Sequence, residues 1–231
     1  MATIGTQGET PGSGTVEASG FATGEVDVEV TAQLQSAGPI ALHDAVSGST
    51  AGRLSLRQRA LAGATELGND VHTSLTATNA GGGDLDVHVR ASASGEGDST
   101  IDFIDAVGER DVDVRGDVWT QGSGRGVIGR VTGESTGGGD VDVYADISSN
   151  PRRGDERVEN VVDGETTGRL SLRQDLDSTA PGIVENVLDR TKSVEALEVL
   201  GGVLGGDARL RVRGVNEGGG VLVLGRSTGS C

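Results

Sequence analysis

The sequence predicts an all-β repeat fold, a parallel β-solenoid, and three observations carry that expectation. Runs of three glycines punctuate the chain at 81–83, 137–139 and 218–220. An alternating acidic and apolar segment recurs as Glu25-Val-Asp-Val, Asp84-Leu-Asp-Val and Asp140-Val-Asp-Val. A longer block, Gly-Arg-Leu-Ser-Leu-Arg-Gln, stands at 52–58 and again at 168–174. Repetition at this scale is the mark of one small unit stacked on copies of itself.

Three strand types account for most of the repeat. The first covers 25–30, 84–89 and 140–145, with Val26, Val28 and Val30 matched to Leu85, Val87 and Val89 and to Val141, Val143 and Ala145. Period-two alternation puts these on one face and the carboxylates on the other. The second covers 53–58, 111–116 and 169–174, where Leu54 and Leu56 match Val112 and Val114, and Leu170 and Leu172. The third falls near 72–78, 127–133 and 209–215, and Val16, Leu75, Val131 and Val212 share one column. That column sets a repeat of 56 to 59 residues, lengthened before Val212.

The lengthening reads as a helix near 182–200. Ser178 or Thr179 can cap it, Pro181 suits its first turn, Gly201 can close it, and Ile183, Val184, Val187, Leu188, Val194, Leu197 and Leu200 form its stripe. Shorter helical corners are expected at 40–46, 101–107 and 158–162. The whole is expected to be one elongated domain, right-handed and roughly three-sided. It divides into a partial unit 1–24, units 25–83, 84–139 and 140–220, and a terminal strand 221–231. An antiparallel β-sandwich or prism is the alternative architecture.

Composition supports a thin fold. Only 34% of residues are apolar and 2% aromatic, while 40 of 231 are Gly, too little bulk for a wide globular core but enough Val, Leu and Ala for a narrow one. Disorder is the competing reading of a Gly-rich acidic chain, and the well-alternated strands argue against it. The net charge of −16 disfavours nucleic acid and anionic membranes, which need a basic face. It favours high salt or divalent cations. Cys231 is the single cysteine, so no internal disulfide forms. No 18-residue apolar run provides a membrane span, and Met-Ala-Thr-Ile-Gly lacks the regions of a secretory signal peptide.

The outward residues supply the candidate chemistry. Stacking would gather Glu25, Asp84 and Asp140 into one carboxylate column and Asp27, Asp86 and Asp142 into another, a candidate set of Ca²⁺ ligands. A solvated acidic face is the simpler reading. Arg57, Arg115 and Arg173 make a matching basic column. Neither the calcium nonapeptide of β-rolls nor an EF-hand loop is present. His43, His72 and His88 are scattered, and His88 aligns with Glu29 and Tyr144 in an outward column. No nucleophile elbow, phosphate loop or zinc spacing occurs, so a catalytic role would rest on the repeated aspartates alone.

The phrases at 52–58 and 74–87 resemble the Gly-rich repeats of secreted bacterial surface proteins, namely autotransporter-like adhesins and PEP-CTERM-type exported proteins. The likeness covers most of the chain outside 175–208. It implies a β-solenoid exposed outside the cell or at its surface and transfers no catalytic residue.

At the chain's ends, 2–10 and 14–20 read as the second and third strand types without the first, and 221–224 as the first without the others. Joined head to tail, Val221, Leu222, Val223 and Leu224 of one copy would meet Ile4 and Val16 of the next and complete a coil, because open strand edges template association. The expected function is therefore a non-enzymatic structural protein that polymerises into an extracellular filament or matrix, with an extracellular polysaccharide as a further candidate partner. A repeat segment of a large adhesin and a carbohydrate-active β-helix are the alternatives.

Overall fold

The computed structural model describes residues 2–8, 12–21, 26–63, 70–95, 97–122, 124–151, 156–166, 168–178, 182–186, 196–204 and 221–224. These residues form an all-β, parallel solenoid. Its strands are β1 (Ala2–Gly8), β2 (Gly12–Phe21), β3 (Val28–Ser36), β4 (Ile40–Ser49), β5 (Leu54–Ala62), β6 (Val71–Asn79), β7 (Leu85–Gly95) and β8 (Ser99–Gly108). They continue as β9 (Val112–Gly122), β10 (Gly126–Ser135), β11 (Val141–Pro151), β12 (Glu156–Glu165), β13 (Arg169–Ser178), β14 (Gly182–Asn186), β15 (Ala196–Leu204) and β16 (Val221–Leu224).

From β1 to β15, successive strands alternate between two sheets, and β16 adds to the sheet of β15. The first sheet runs β1-β3-β5-β7-β9-β11-β13-β15-β16 and the second β14-β12-β10-β8-β6-β4-β2. One coil is therefore two strands and two corners. Val16, Asp44, Leu75, Ile104, Val131 and Val162 stand in one column of the second sheet, so a coil takes 27 to 31 residues. The 56- to 59-residue phrase is two coils.

Several expectations are corrected by this. The first and second strand types are the same position in alternate coils, because Leu54 pairs with Leu85, Leu85 with Val112 and Val112 with Val141. The solenoid has two sheets rather than three sides, and the antiparallel alternative is excluded since every strand pairing among the described residues is parallel. The expected helical corners are strands β4, β8 and β12, and the helix expected near 182–200 is replaced by β14 and β15, with 187–195 outside the described residues.

The physical cause of the helical misreading is visible. In β8 the register skips Asp102, an irregularity that resets the alternation, so that Ile101 and Ile104 both point inward. That three-residue spacing imitates a helix. In β4 the inward series is Ile40, Leu42, Asp44 and Val46, and the buried Asp44 interrupts the apolar alternation. In-register alignment also shifts the first strand by two residues. Val28, not Val26, pairs with Leu54 and opens the inward series, while Val26 is 50% exposed.

The core is a thin layer between the sheets. Leu54, Leu85, Val112, Val141 and Leu170 form one inward column and Leu56, Val87, Val114, Val143 and Leu172 the next, all at or near full burial. Ile40, Val71, Leu75, Ile101, Ile104, Ile128 and Val131 face them from the second sheet. Each such side chain contributes roughly 1.5–3 kcal/mol by leaving water. Glycines on the inner face fit the bulk opposite: a Cβ on Gly133 would meet Val141 and Val143 at 3.0 and 3.1 Å. Gln58 is a polar member of the layer, as Asp44 is, and its Nε2 donates to the carbonyls of Leu42 and Ser74 at 3.0 Å each.

The corners are held by polar caps. Asn79 Oδ1 accepts from the N–H groups of Thr50 and Gly81 at 3.1 and 3.2 Å, and its Nδ2 donates to the Asp84 carbonyl at 3.3 Å. Thr50 Oγ1 donates to the Val26 carbonyl and accepts from Gly52 N–H, and Thr166 does the same with the Gly139 carbonyl and Gly168 N–H. Gly82 and Gly138, at φ 75° and 84°, turn the middle of two glycine triplets through the left-handed region. The flanking glycines permit close stacking, for a Cβ on Gly83 would collide with the Gly52 carbonyl of the preceding coil. The triplet at 218–220 lies outside the described residues.

Gly83→Ala should therefore cost about 1–3 kcal/mol by forcing two corners apart. Gly63→Ala, whose added Cβ meets nothing within 4 Å, should stay within about 0.5 kcal/mol of the parent. Urea denaturation of the two variants checks the contrast.

Candidate functional site

The outer face of the first sheet carries the densest chemistry, and the pleat explains why. Once Leu85, Val87 and Val89 turn inward, Asp86, His88 and Arg90 must turn outward. In-register pairing then assembles columns. The first holds Glu29, Ser55, Asp86, Asp113, Asp142 and Ser171. The second holds Thr31, Arg57, His88, Arg115, Tyr144 and Arg173, and the third Gln33, Arg59, Arg90, Asp117 and Asp146.

The middle column is cationic and aromatic. The guanidinium groups of Arg115 and Arg173 lie over the two sides of the Tyr144 ring, 4.9 and 5.1 Å from its centroid. Each such contact is worth ~0.5–1 kcal/mol at an exposed site. Arg57, Arg115 and Arg173 share this column as expected, but with His88 and Tyr144 interposed. Tyr144 joins His88 as the sequence suggested, whereas Glu29 belongs one column away, since Thr31 holds its place.

Two aspartates missed in the sequence dominate the electrostatics. Asp117 accepts from His88 Nε2 and from Arg115 Nε, both at 2.8 Å. Burial pushes its carboxyl up, but the hydrogen bonds from His88 and Arg115 and their charges outweigh this and hold it below the ordinary value. The same bond to Asp117 raises Arg115 further. Asp113 is the opposite case. Partial burial pushes its carboxyl up, the charges of Asp86 and Asp142 on either side push it further, and Arg53 and Arg115 pull against them. The signal for both residues was present in the sequence. Asp111-Val-Asp-Val-Arg-Gly-Asp repeats Asp140-Val-Asp-Val-Tyr-Ala-Asp at half the assumed period.

The candidate calcium residues are dispersed by the observed register. Asp86 and Asp142 share a column with Asp113 between them, and Asp84 and Asp140 belong to the corner that precedes the strands. Asp27 falls with Asp84 rather than with Asp86, because the first strand is offset by two residues, and Glu25 lies outside the described residues. At the corners the carboxylates serve the backbone. Asp27 Oδ1 accepts from Arg53 N–H at 2.9 Å, Asp111 Oδ1 from Asp140 N–H at 2.9 Å, and Asp140 Oδ1 from Arg169 N–H at 3.1 Å. Asp70 and Asp98 repeat the device at the second sheet, toward Asp98 and Arg125. Arg169 pairs with Asp140 and Asp142 at 3.6 and 3.3 Å. Among the described residues no group of three or more His, Cys, Asp or Glu is placed to hold a metal ion.

The second sheet's outer face holds the remaining histidines apart. His43 Nδ1 lies 2.7 Å from Ser74 Oγ, and His72 Nδ1 lies 3.6 Å from Asp102. Arg130 pairs with Asp105 at 2.6 Å. The residues expected to mediate self-assembly fall on outermost strands: Ile4 on β1, Val16 on β2, and Val221 to Leu224 on β16. Among the described residues no helix is long and apolar enough to cross a membrane. No protein-family model matches the chain, and neither a curated protein nor a solved structure matches it.

The two aspartates predict opposite responses. Asp113 has a folded value above its unfolded one, so its charge is a penalty at neutral pH that is relieved as pH falls through the folded value. Asp113→Asn should raise stability at pH 7 by under about 1 kcal/mol, because solvent screens this column, and the gain should vanish under acid conditions. Asp117 has a folded value below its unfolded one, so its contribution is full above the unfolded value and is lost as pH falls through the folded one. Asp117→Asn should cost about 1–2 kcal/mol at pH 7 and progressively less as the parent protein is acidified. Urea titrations of both variants at several pH values check the signs.

Proposed function

We propose that this chain is a non-enzymatic structural rod that associates end to end into a filament or matrix outside the cell. The observation that supports this is the state of the outermost strands. Among the described residues β1 and β2 at one end, and β16 and β14 at the other, are paired on one side only. A parallel ladder whose edge N–H and C=O groups are open is a template for the same ladder in another copy.

The register refines how such a junction would form. β1 and β2 together make a whole coil, so the ends need not exchange half-coils as the three-strand reading required. Stacking would simply continue the two sheets, β16 of one copy feeding the first sheet of the next through β1. The corner aspartates and threonines already bridge coil to coil within the chain, and an added coil would satisfy the backbone of its neighbour in the same way.

Purified chain should form unbranched fibres by negative stain without any added protein. Proline placed singly at Thr3 and at Ile4 tests the edge, because adjacent N–H groups on a strand point to opposite sides. One variant should abolish fibres with little loss of melting temperature, and the other should lower the melting temperature by breaking the β1–β3 ladder. Wild-type chain that stays monomeric by light scattering across salt and calcium would contradict the assembly and favour the adhesin-segment reading.

A further inference from the structure

The outer face of the first sheet is not uniformly acidic, and the arginines at its basic end stand outside the ion pairs of the described residues. Arg59 and Arg90 are direct neighbours on β5 and β7, and Arg57 sits two residues before Arg59 on the same face. Three other outward arginines are matched: Arg115 with Asp117, Arg130 with Asp105, Arg169 with Asp140 and Asp142. Among the described residues Arg57, Arg59 and Arg90 form no ion pair, and the Nε of Arg90 is buried with no hydrogen-bond partner. The carboxylate next in Arg90's column, Asp117, is taken up by His88 and Arg115. Like charges directly opposite on neighbouring strands cost stability. An unpaired, desolvated guanidinium N–H adds to that cost.

On the flank away from the acidic columns, the two β3 residues directly beside the arginines are neutral and polar, with Glu29 two residues before the first of them. Thr31 pairs with Arg57 and Gln33 with Arg59, so hydroxyl and amide groups lie beside the guanidinium groups. We propose that Arg57, Arg59 and Arg90, with Thr31 and Gln33 beside them, bind an oxyanion such as a sulfate group, either free or carried on a polysaccharide. The dimensions bound the ligand. One strand spacing of about 4.8 Å separates Arg59 from Arg90, and about 7 Å along β5 separates Arg57 from Arg59, room for one or two anionic groups. Continuous contact with a polyanion along the rod is disfavoured, because beyond Arg90 the same face turns acidic at Asp113, Asp117, Asp142 and Asp146, so a polymer would be held through one or two of its anionic groups. Guanidinium forks give such a group paired, charge-assisted hydrogen bonds. The site is independent of the end-to-end contact, since it occupies the broad face and not a strand edge.

The test uses the full chain and the double variant Arg59→Gln/Arg90→Gln, with sodium sulfate titrated against sodium chloride at matched ionic strength. The wild type should gain melting temperature in sulfate beyond what chloride gives, and the variant should bind sulfate about tenfold more weakly. Without sulfate the variant should melt no lower than the wild type, because it has lost a like-charge contact. Dextran sulfate and uncharged dextran form the second arm. Retention of the wild type alone on dextran sulfate identifies the polymer-borne group, and a response to sulfate alone identifies the free anion. An equal sulfate effect in wild type and variant, as general salting-out would give, overturns the proposal, as does equal retention of both on dextran sulfate. Fibre formation in negative stain should be the same in both proteins, so failure here leaves the end-to-end reading standing.

Discussion

The structure depends on one constraint: every residue in a strand lies directly beside the residue at the same position in the next coil, held there by a parallel hydrogen-bond ladder. Neighbouring strands are about 4.8 Å apart, so a preference expressed once is expressed along the whole stack. Inward, this is favourable without qualification. Leu54, Leu85, Val112, Val141 and Leu170 meet like with like and exclude water between two sheets. Outward, the same rule is a hazard, because identical charges would be stacked at the same spacing. The chain avoids this by varying the outward residues. His88 separates Arg57 from Arg115, Tyr144 separates Arg115 from Arg173, and Asp117 beside His88 and Arg115 carries the compensating charge. The variation lapses where Arg59 meets Arg90, where Asp117 meets Asp146, and along Asp86, Asp113 and Asp142, where the charges of the two outer aspartates add to burial in raising the carboxyl of Asp113.

The corners solve a different problem. A coil of 27 to 31 residues leaves backbone donors at each turn that the sheets cannot satisfy. Asp27, Asp70, Asp98, Asp111 and Asp140 accept from the next coil's N–H, and Thr50, Asn79 and Thr166 tie the glycine turns. Much of the acidic character that first suggests calcium is thereby occupied in backbone hydrogen bonding. The same acids leave the rod strongly anionic at its corners, and the unpaired arginines at Arg57, Arg59 and Arg90 stand out against that background.

The fold class was legible because period-two alternation and glycine triplets carry it locally. The column of Val16, Leu75 and Val131 was legible for the same reason. The coil length was not. Asp84-Leu-Asp-Val and Asp111-Val-Asp-Val occupy one structural position, but the block at 52–58 resembles 168–174 far more closely than it resembles 84–89, which made alternate coils look like different strands. Of the second sheet, the strands at 14–20, 72–78 and 127–133 were legible and are β2, β6 and β10, whereas β8 was hidden by the register skip at Asp102 and β4 by Asp44 in an inward position, since both break the alternation on which strand recognition rests. Of the outward chemistry, Arg57, Arg115 and Arg173 could be aligned from sequence. Asp113 and Asp117 could not be given roles before the half-period was known.

A disulfide cross-link tests the two-strand coil most directly. In a Cys231→Ser background, cysteines at Asp86 and Asp113 should oxidise readily to a disulfide, since neighbouring strands place their Cα atoms about 4.8 Å apart, within bonding range. Cysteines at Asp86 and Asp142, with a strand between them, should be about 9.6 Å apart and should stay reduced in the monomer. Bond formation by the second pair and not the first would mean that the longer phrase is the true coil, and would contradict the account.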